Sequence, residues 1–168
     1  MRNPSDTKRF KPELIPGTLL LSFCLAIAPT LFGGGEAQAE PRCEPTQADS
    51  EGPFYKPGAP ERMSTGKGLV ISGRMLGAPD CRPLSGGRIE WWHADASGRY
   101  DDAHRGSMTA NADGTYRYTT DFPGKYPWRP LHIHIKAFAT GYRQLTTQIY
   151  LRGEEKQMVY DIVLAPLK

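Results

Sequence analysis

From Gly68 onward, apolar and polar residues alternate in short runs, and each run is closed by residues that favour turns. Because a strand sends successive side chains to opposite faces, this alternation predicts strands at Leu69–Leu76, Arg88–Ala94, Thr115–Thr120, His132–Ala139, Leu145–Tyr150 and Met158–Leu164. Between them stand Gly77-Ala78-Pro79-Asp80, Ser85-Gly86-Gly87, Ala96-Ser97-Gly98, Asp113-Gly114 and Thr140-Gly141, which supply the backbone angles of turns. No stretch of useful length holds a 3.6-residue period, which excludes a helical bundle. The expected fold is all-β, a single-domain β-sandwich of about six to eight strands over residues 61–168. Ahead of it, residues 40–60 are rich in Pro, Gly and acidic side chains and carry no period, so they are expected to form an extended N-terminal arm without helix.

Composition narrows the class without changing it. A chain of 168 residues with 23% charged and 39% hydrophobic positions has room for one ordinary domain. Gly 18 and Pro 15, with 10% aromatics, suit a turn-rich, strand-built domain better than a disordered chain. A net charge of only +3 gives no reason to expect a nucleic-acid partner.

The first 39 residues read as a signal peptide. Arg2, Lys8, Arg9 and Lys11 precede an apolar run from Thr18 to Phe32, which leads into the small-x-small pattern Ala37-Gln38-Ala39. The run is broken by Pro29 and falls short of the roughly 20 residues that span a bilayer. Cleavage near Ala39 would export the chain, to a periplasm or beyond, with no membrane partner in the mature form. Cys43 and Cys81 would remain, and an even pair in an exported protein most often forms one disulfide, which here would tie the arm to the domain.

The chemistry begins at Leu131-His132-Ile133-His134-Ile135, where strand alternation puts both imidazoles on one face. Lys136 continues that face, and its ammonium would repel a bound cation, which places any metal near the start of the strand. Tyr126, in Pro123-Gly124-Lys125-Tyr126-Pro127-Trp128-Arg129-Pro130, and Tyr100, in Gly98-Arg99-Tyr100-Asp101-Asp102, are both read as turn residues. Two phenolates beside two imidazoles form a hard donor set that favours Fe(III) over Zn(II) or Cu(I).

Several segments together resemble the intradiol ring-cleavage dioxygenases. They are Glu51-Gly52-Pro53-Phe54-Tyr55, Trp92-His93-Ala94-Asp95, Gly98-Arg99-Tyr100, Phe122-Pro123-Gly124-Lys125-Tyr126, Arg129-Pro130-Leu131-His132-Ile133-His134 and Leu145-Thr146-Thr147-Gln148-Ile149-Tyr150. The resemblance implies one non-haem Fe(III) per chain held by Tyr100, Tyr126, His132 and His134, with Tyr126 the ligand that departs when substrate binds. Arg129 and Gln148 match the family's second layer, a buried guanidinium near charge developing on the ring and the amide that holds it. The implied partners are a small catecholic substrate and O2, the implied product a muconate-type diacid. Only five residues separate Tyr126 from His132 and no helical N-terminal region is present, as in the compact secreted branch of the family. Tyr55, Trp128, Trp91 and Trp92 are candidates for an aromatic substrate pocket, and for the three tryptophans core packing is an equal alternative. Two other readings compete. One is a non-catalytic β-sandwich binding module; the other is a zinc or copper protein using His132 and His134 with His93 or His104.

Overall fold

In the computed structural model, which describes residues 42–125 and 127–168, the alternating runs become ten strands in two sheets, with no helix among the described residues. They are β1 (Ser64–Thr65), β2 (Leu69–Gly77), β3 (Arg82–Pro83), β4 (Arg88–Ala94), β5 (Tyr100–Thr109), β6 (Thr115–Thr120), β7 (His132–Phe138), β8 (Leu145–Tyr150), β9 (Gln157–Val159) and β10 (Ile162–Leu164). One sheet has the order β1-β6-β2-β10, with β3 and β9 also paired to β2. The other is antiparallel, in the order β5-β4-β7-β8. This is the expected all-β sandwich. No helix of the described residues is long and apolar enough to cross a membrane.

The core lies between the sheets. Ile89 and Trp91 of β4 and Ile133, Ile135 and Ala137 of β7 face Leu69, Ile71, Tyr116, Tyr118, Ile162 and Leu164. Trp91 stacks on Tyr118 with ring centroids 4.6 Å apart. Each large side chain removed from water here contributes about 1.5–3 kcal/mol.

Strand count and one boundary differ from expectation. β5 was read as turn and polar chain, because Asp101, Asp102, His104 and Arg105 mask its alternation. Those charges pair instead: Arg105 with Asp102 at 3.1 Å, Lys56 with Asp102 at 2.8 Å, and His104 with Asp101 at 2.8 Å. Tyr100 is thus the first residue of a strand, set after a turn in which Asp95 Oδ1 accepts from the amides of Ser97 and Arg99. The expected strand Met158–Leu164 is two strands, β9 and β10, in tandem along one edge of β2. The backbone of Tyr160 crowds Gly73, where a Cβ would lie 2.0 Å from the Tyr160 carbonyl oxygen. Asp161 meanwhile accepts from the Arg74 amide at 2.8 Å, which interrupts the ladder.

Residues 42–60 form no helix and run across both sheets. Cys43 is joined to Cys81 by a disulfide. The Thr46 amide bonds the Val163 carbonyl, and the Asp49 amide bonds the Thr146 carbonyl, both at 2.9 Å. The expected signal peptide, residues 1–39, lies outside the described residues.

Candidate metal centre

The candidate site sits on the outer face of the four-stranded sheet, away from the core. In the antiparallel register, His132 stands opposite Tyr150 and His134 opposite Gln148 on β8, with Trp92 opposite His134 on β4. Tyr100, opposite Ala94, reaches the same face from the edge strand β5. Three donor atoms converge there: the Tyr100 hydroxyl lies 3.0 Å from His132 Nε2 and 3.2 Å from His134 Nε2, and the two nitrogens are 3.1 Å apart.

Proton bookkeeping shows what this triangle is suited to hold. His132 Nδ1 donates to the Pro130 carbonyl at 2.7 Å, so its Nε2 presents a lone pair. Burial and the neighbouring Arg129 charge hold the His132 pKa below its ordinary value, and burial, His132 and Arg129 push that of His134 down to about 3. Both rings are therefore neutral, and the phenol's single proton can satisfy only one acceptor at a time. With His134 also protonated at Nδ1, whose buried position has no hydrogen-bond partner among the described residues, its Nε2 lone pair would face that of His132, which a cation would resolve. Edges of 3.0–3.2 Å match one face of a coordination shell with bonds of about 2 Å. Among the described residues no three His, Cys, Asp or Glu side chains form a metal site, and the oxygen that meets the two nitrogens is the Tyr100 phenol.

Rings and glycine fix the donors. His134 stacks on Trp92 at 4.7 Å, and Tyr100 on Phe54 at 4.2 Å. Gly52, with φ of 70°, lies so close to His134 that a Cβ there would be 3.3 Å from Cε1. Beside the donors is a cavity of about 210 Å3, lined in part by Pro53, Phe54, Arg129 and Gln148. That is smaller than the roughly 300–1,000 Å3 of drug-sized sites and suits a single ring. Arg129 Nη2 donates to Gln148 Oε1 at 2.7 Å, and Gln148 Nε2 to the Ser50 carbonyl at 2.6 Å. The Tyr150 hydroxyl donates to Asp49 at 2.8 Å and accepts from Arg129 at 3.4 Å. The Ser50 amide and Tyr150 together hold the Asp49 carboxyl below its ordinary pKa.

Tyr100, His132, His134, Arg129 and Gln148 are thus brought together as expected, while Tyr126 lies outside the described residues. Four expectations need correction. Arg129 is exposed rather than buried, because residues 127–130 run over the surface and only the guanidinium reaches the cavity. Trp128 is 101% exposed, its backbone turned outward at φ of 66°, and it does not line the cavity. Tyr55 lies behind Phe54, beside a smaller cavity of about 120 Å3, with its hydroxyl on Glu90 at 2.9 Å. His93 and His104 cannot join the pair, since His93 faces the core and bonds Thr120 at 2.6 Å, while His104 is held by Asp101. Trp91 is core and Trp92 supports His134. Asp49, Ser50 and Tyr150 were not anticipated as site residues; Tyr150 alone carried a signal, as the end of the segment that contains Gln148.

A family model described as a dioxygenase matches residues 51–167. A 6-chlorohydroxyquinol 1,2-dioxygenase of Cupriavidus pinatubonensis is 30% identical over 171 residues, covering 82% of this chain and 60% of the relative. The chain belongs to the intradiol dioxygenase family. Catechol 1,2-dioxygenase 2 of Acinetobacter lwoffii is 32% identical over 71% of this chain and 56% of its own length, so this intradiol dioxygenase chain spans little more than half of such curated relatives. Among solved structures, the dioxygenase domain of a dioxygenase carbohydrate-binding protein fusion from Streptomyces sp. SirexAA-E superposes with a TM-score of 0.68 at 35% identity. That match covers 74% of this family member and 100% of the solved domain.

Proposed function

We propose that the protein is an exported, non-haem Fe(III)-dependent intradiol dioxygenase that opens a catechol-type ring between its two hydroxyl-bearing carbons. The convergence of the Tyr100 hydroxyl with the Nε2 atoms of His132 and His134, all within 3.2 Å, carries this reading. The donor set fits the metal: one hard phenolate oxygen and two neutral imidazoles, with Tyr126 as the fourth ligand that the sequence supplies. A bound Fe(III) would act as Lewis acid and template for the two catechol oxygens.

In the reaction, one C–C bond breaks and both atoms of one O2 enter the two carboxyl groups of a muconate-type diacid, so no further oxidant or reductant is needed. Phe54 and Pro53 wall one side of the ring's cavity. Tyr126, as the departing ligand, would provide a phenolate oxygen able to take a catechol proton, while Tyr100 remains a donor to the metal. The Arg129 guanidinium, held by Gln148, stabilises negative charge that grows on the ring as oxygen attacks. The compact secreted branch of the family and export near Ala39 are supported by the N-terminal charge and apolar pattern and by the Cys43–Cys81 disulfide, a bond of oxidising compartments.

The test uses the full chain produced in an oxidising compartment. It should start near Glu40, show no free thiol, carry about one iron per chain, and consume one O2 per catechol while yielding a product heavier than the substrate by both oxygen atoms. Stoichiometric zinc, with no oxygen uptake on catechol, protocatechuate or hydroxyquinol, would overturn the reading.

A further inference from the structure

The segment Glu51–Tyr55 belongs to the arm, yet every one of its residues touches the outer face of the sheet. Gly52 lies against His134, Pro53 lines the cavity, and Phe54 stacks on Tyr100. Tyr55 packs 5.0 Å from Trp92, the ring on which His134 stacks. None of these four side chains anchors the segment by charge. Glu51 does: its carboxylate accepts from the Lys136 ammonium, which is 8% exposed as a residue and lies two positions beyond His134 on the same face of β7. The same ammonium sits 3.6 Å above the Tyr55 ring, and the Tyr55 hydroxyl donates to Glu90, which is in turn paired with Arg88 at 3.0 Å.

A pair with one buried member, Lys136, and a partner, Glu51, whose side chain is 42% exposed gains little stability, because desolvating the ammonium offsets much of the attraction. What it provides is registry, since the buried Lys136 ammonium needs an acceptor and Glu51 is the carboxylate the segment brings to it. We infer that the Glu51–Lys136 ion pair is a positioning device: it seats Gly52–Tyr55 on the rings of His134 and Tyr100 and so fixes the direction of two of the three converging donors. The pair has a second consequence. An unneutralised ammonium on the histidine face would repel a cation at the donors, and Glu51 cancels that charge. This inference rests on the proposed metal site for its second consequence, and on the arm contacts alone for its first.

Three variants decide it: Glu51→Gln, Lys136→Met and the two combined. Glu51→Gln strands the buried Lys136 ammonium and lowers the thermal midpoint, whereas Lys136→Met leaves a half-exposed carboxylate and lowers it less. The double variant restores the midpoint, yet its amides at 49–55 exchange hydrogen at least about tenfold faster in metal-free protein, and its iron affinity falls by about 10–100-fold, as for loss of groups that orient ligands. The absorption band from tyrosinate to iron shifts in the same variant. A double variant with wild-type exchange and wild-type iron affinity overturns the inference. So does a double variant that no longer folds, since the pair would then be holding the fold itself. Exchange in the metal-free protein remains informative if the wild-type chain binds no iron, which separates failure here from failure of the iron reading.

Discussion

On the inner face of β7, Ile133, Ile135 and Ala137 are fully buried against the second sheet; on its outer face His132, His134 and Lys136 are nearly as buried, beneath residues 49–56. The two faces reach the same burial by different means. The inner face is covered by another sheet through many interchangeable apolar contacts. The outer face is covered by irregular chain through a few directional ones: an ion pair, the stack of Phe54 on Tyr100 and hydrogen bonds to backbone carbonyls. Stability therefore resides mainly on the inner face, and the outer face can carry lone pairs and charges that no core would tolerate.

The largest expected effect tests the inner face. Trp91→Ala removes the ring that stacks on Tyr118 and should cost about 3–5 kcal/mol of unfolding free energy. Denaturant titration measures it, and the folded fraction should still bind metal. On the outer face, Arg129→Leu should reverse the pattern. The guanidinium touches Gln148 and Tyr150, not the donors, so iron, colour and catechol chelation should persist while kcat falls by about 10²–10³. Stopped-flow binding and steady-state oxygen uptake on the same variant separate the two. Near-normal turnover would remove Arg129 from the reaction, and loss of iron would make it a support of the metal site.

The same contrast explains what could be read from the sequence. Strands β4, β6 and β8 fall where alternation puts them, and the histidine pair was legible because β7 alternates imidazole with isoleucine. β5 was not legible, since its charged residues interrupt the apolar alternation and one of them, Asp102, is balanced by Lys56 from a distant stretch of chain that no local pattern reveals. Tyr100 stood out as a candidate donor only beside the histidine pair and through the family resemblance; an isolated tyrosine is more often a packing residue. Asp49 and Ser50 act through a carboxylate and a carbonyl brought to β8 from about a hundred positions away, and no spacing rule announces such contacts. Trp128 misled because aromatic character suggests a pocket, whereas its position is decided by backbone that turns it to solvent.

A polar group on the inner face should show itself in pH dependence. His93 is fully buried, bonded to Thr120 Oγ1 and to the Ala94 carbonyl, and burial pushes its pKa down from 6.5 to about 4, with His104 lowering it further and Asp121 and Asp101 opposing. The folded state keeps the ring neutral, so below pH 6.5 the unfolded state binds the extra proton. Its contribution to stability is complete above that pH and declines as pH falls towards 4, by about 3 kcal/mol. Urea unfolding at several pH values should show a shallower decline for His93→Gln than for the wild type. Identical slopes would mean that His93 is protonated inside the fold.

The smallest effect concerns a residue that belongs to neither face. Trp128 adjoins Arg129 in sequence, but it is wholly exposed and holds φ at 66°, a left-handed conformation that costs a residue with a side chain about 1–2 kcal/mol. Trp128→Gly relieves that cost and gives back about 0.5–1 kcal/mol in unfolded-chain entropy, so stability should stay level or rise by no more than about 1 kcal/mol. Because the indole does not line the cavity, KM for a single-ring catechol should stay within about twofold, a change too small to count as a lost contact worth 1.4 kcal/mol per factor of ten. Thermal unfolding and steady-state kinetics on the one variant check both halves. A tenfold rise in KM would show that the indole covers bound substrate, and the outer face would then extend beyond the arm to the loop that carries Arg129.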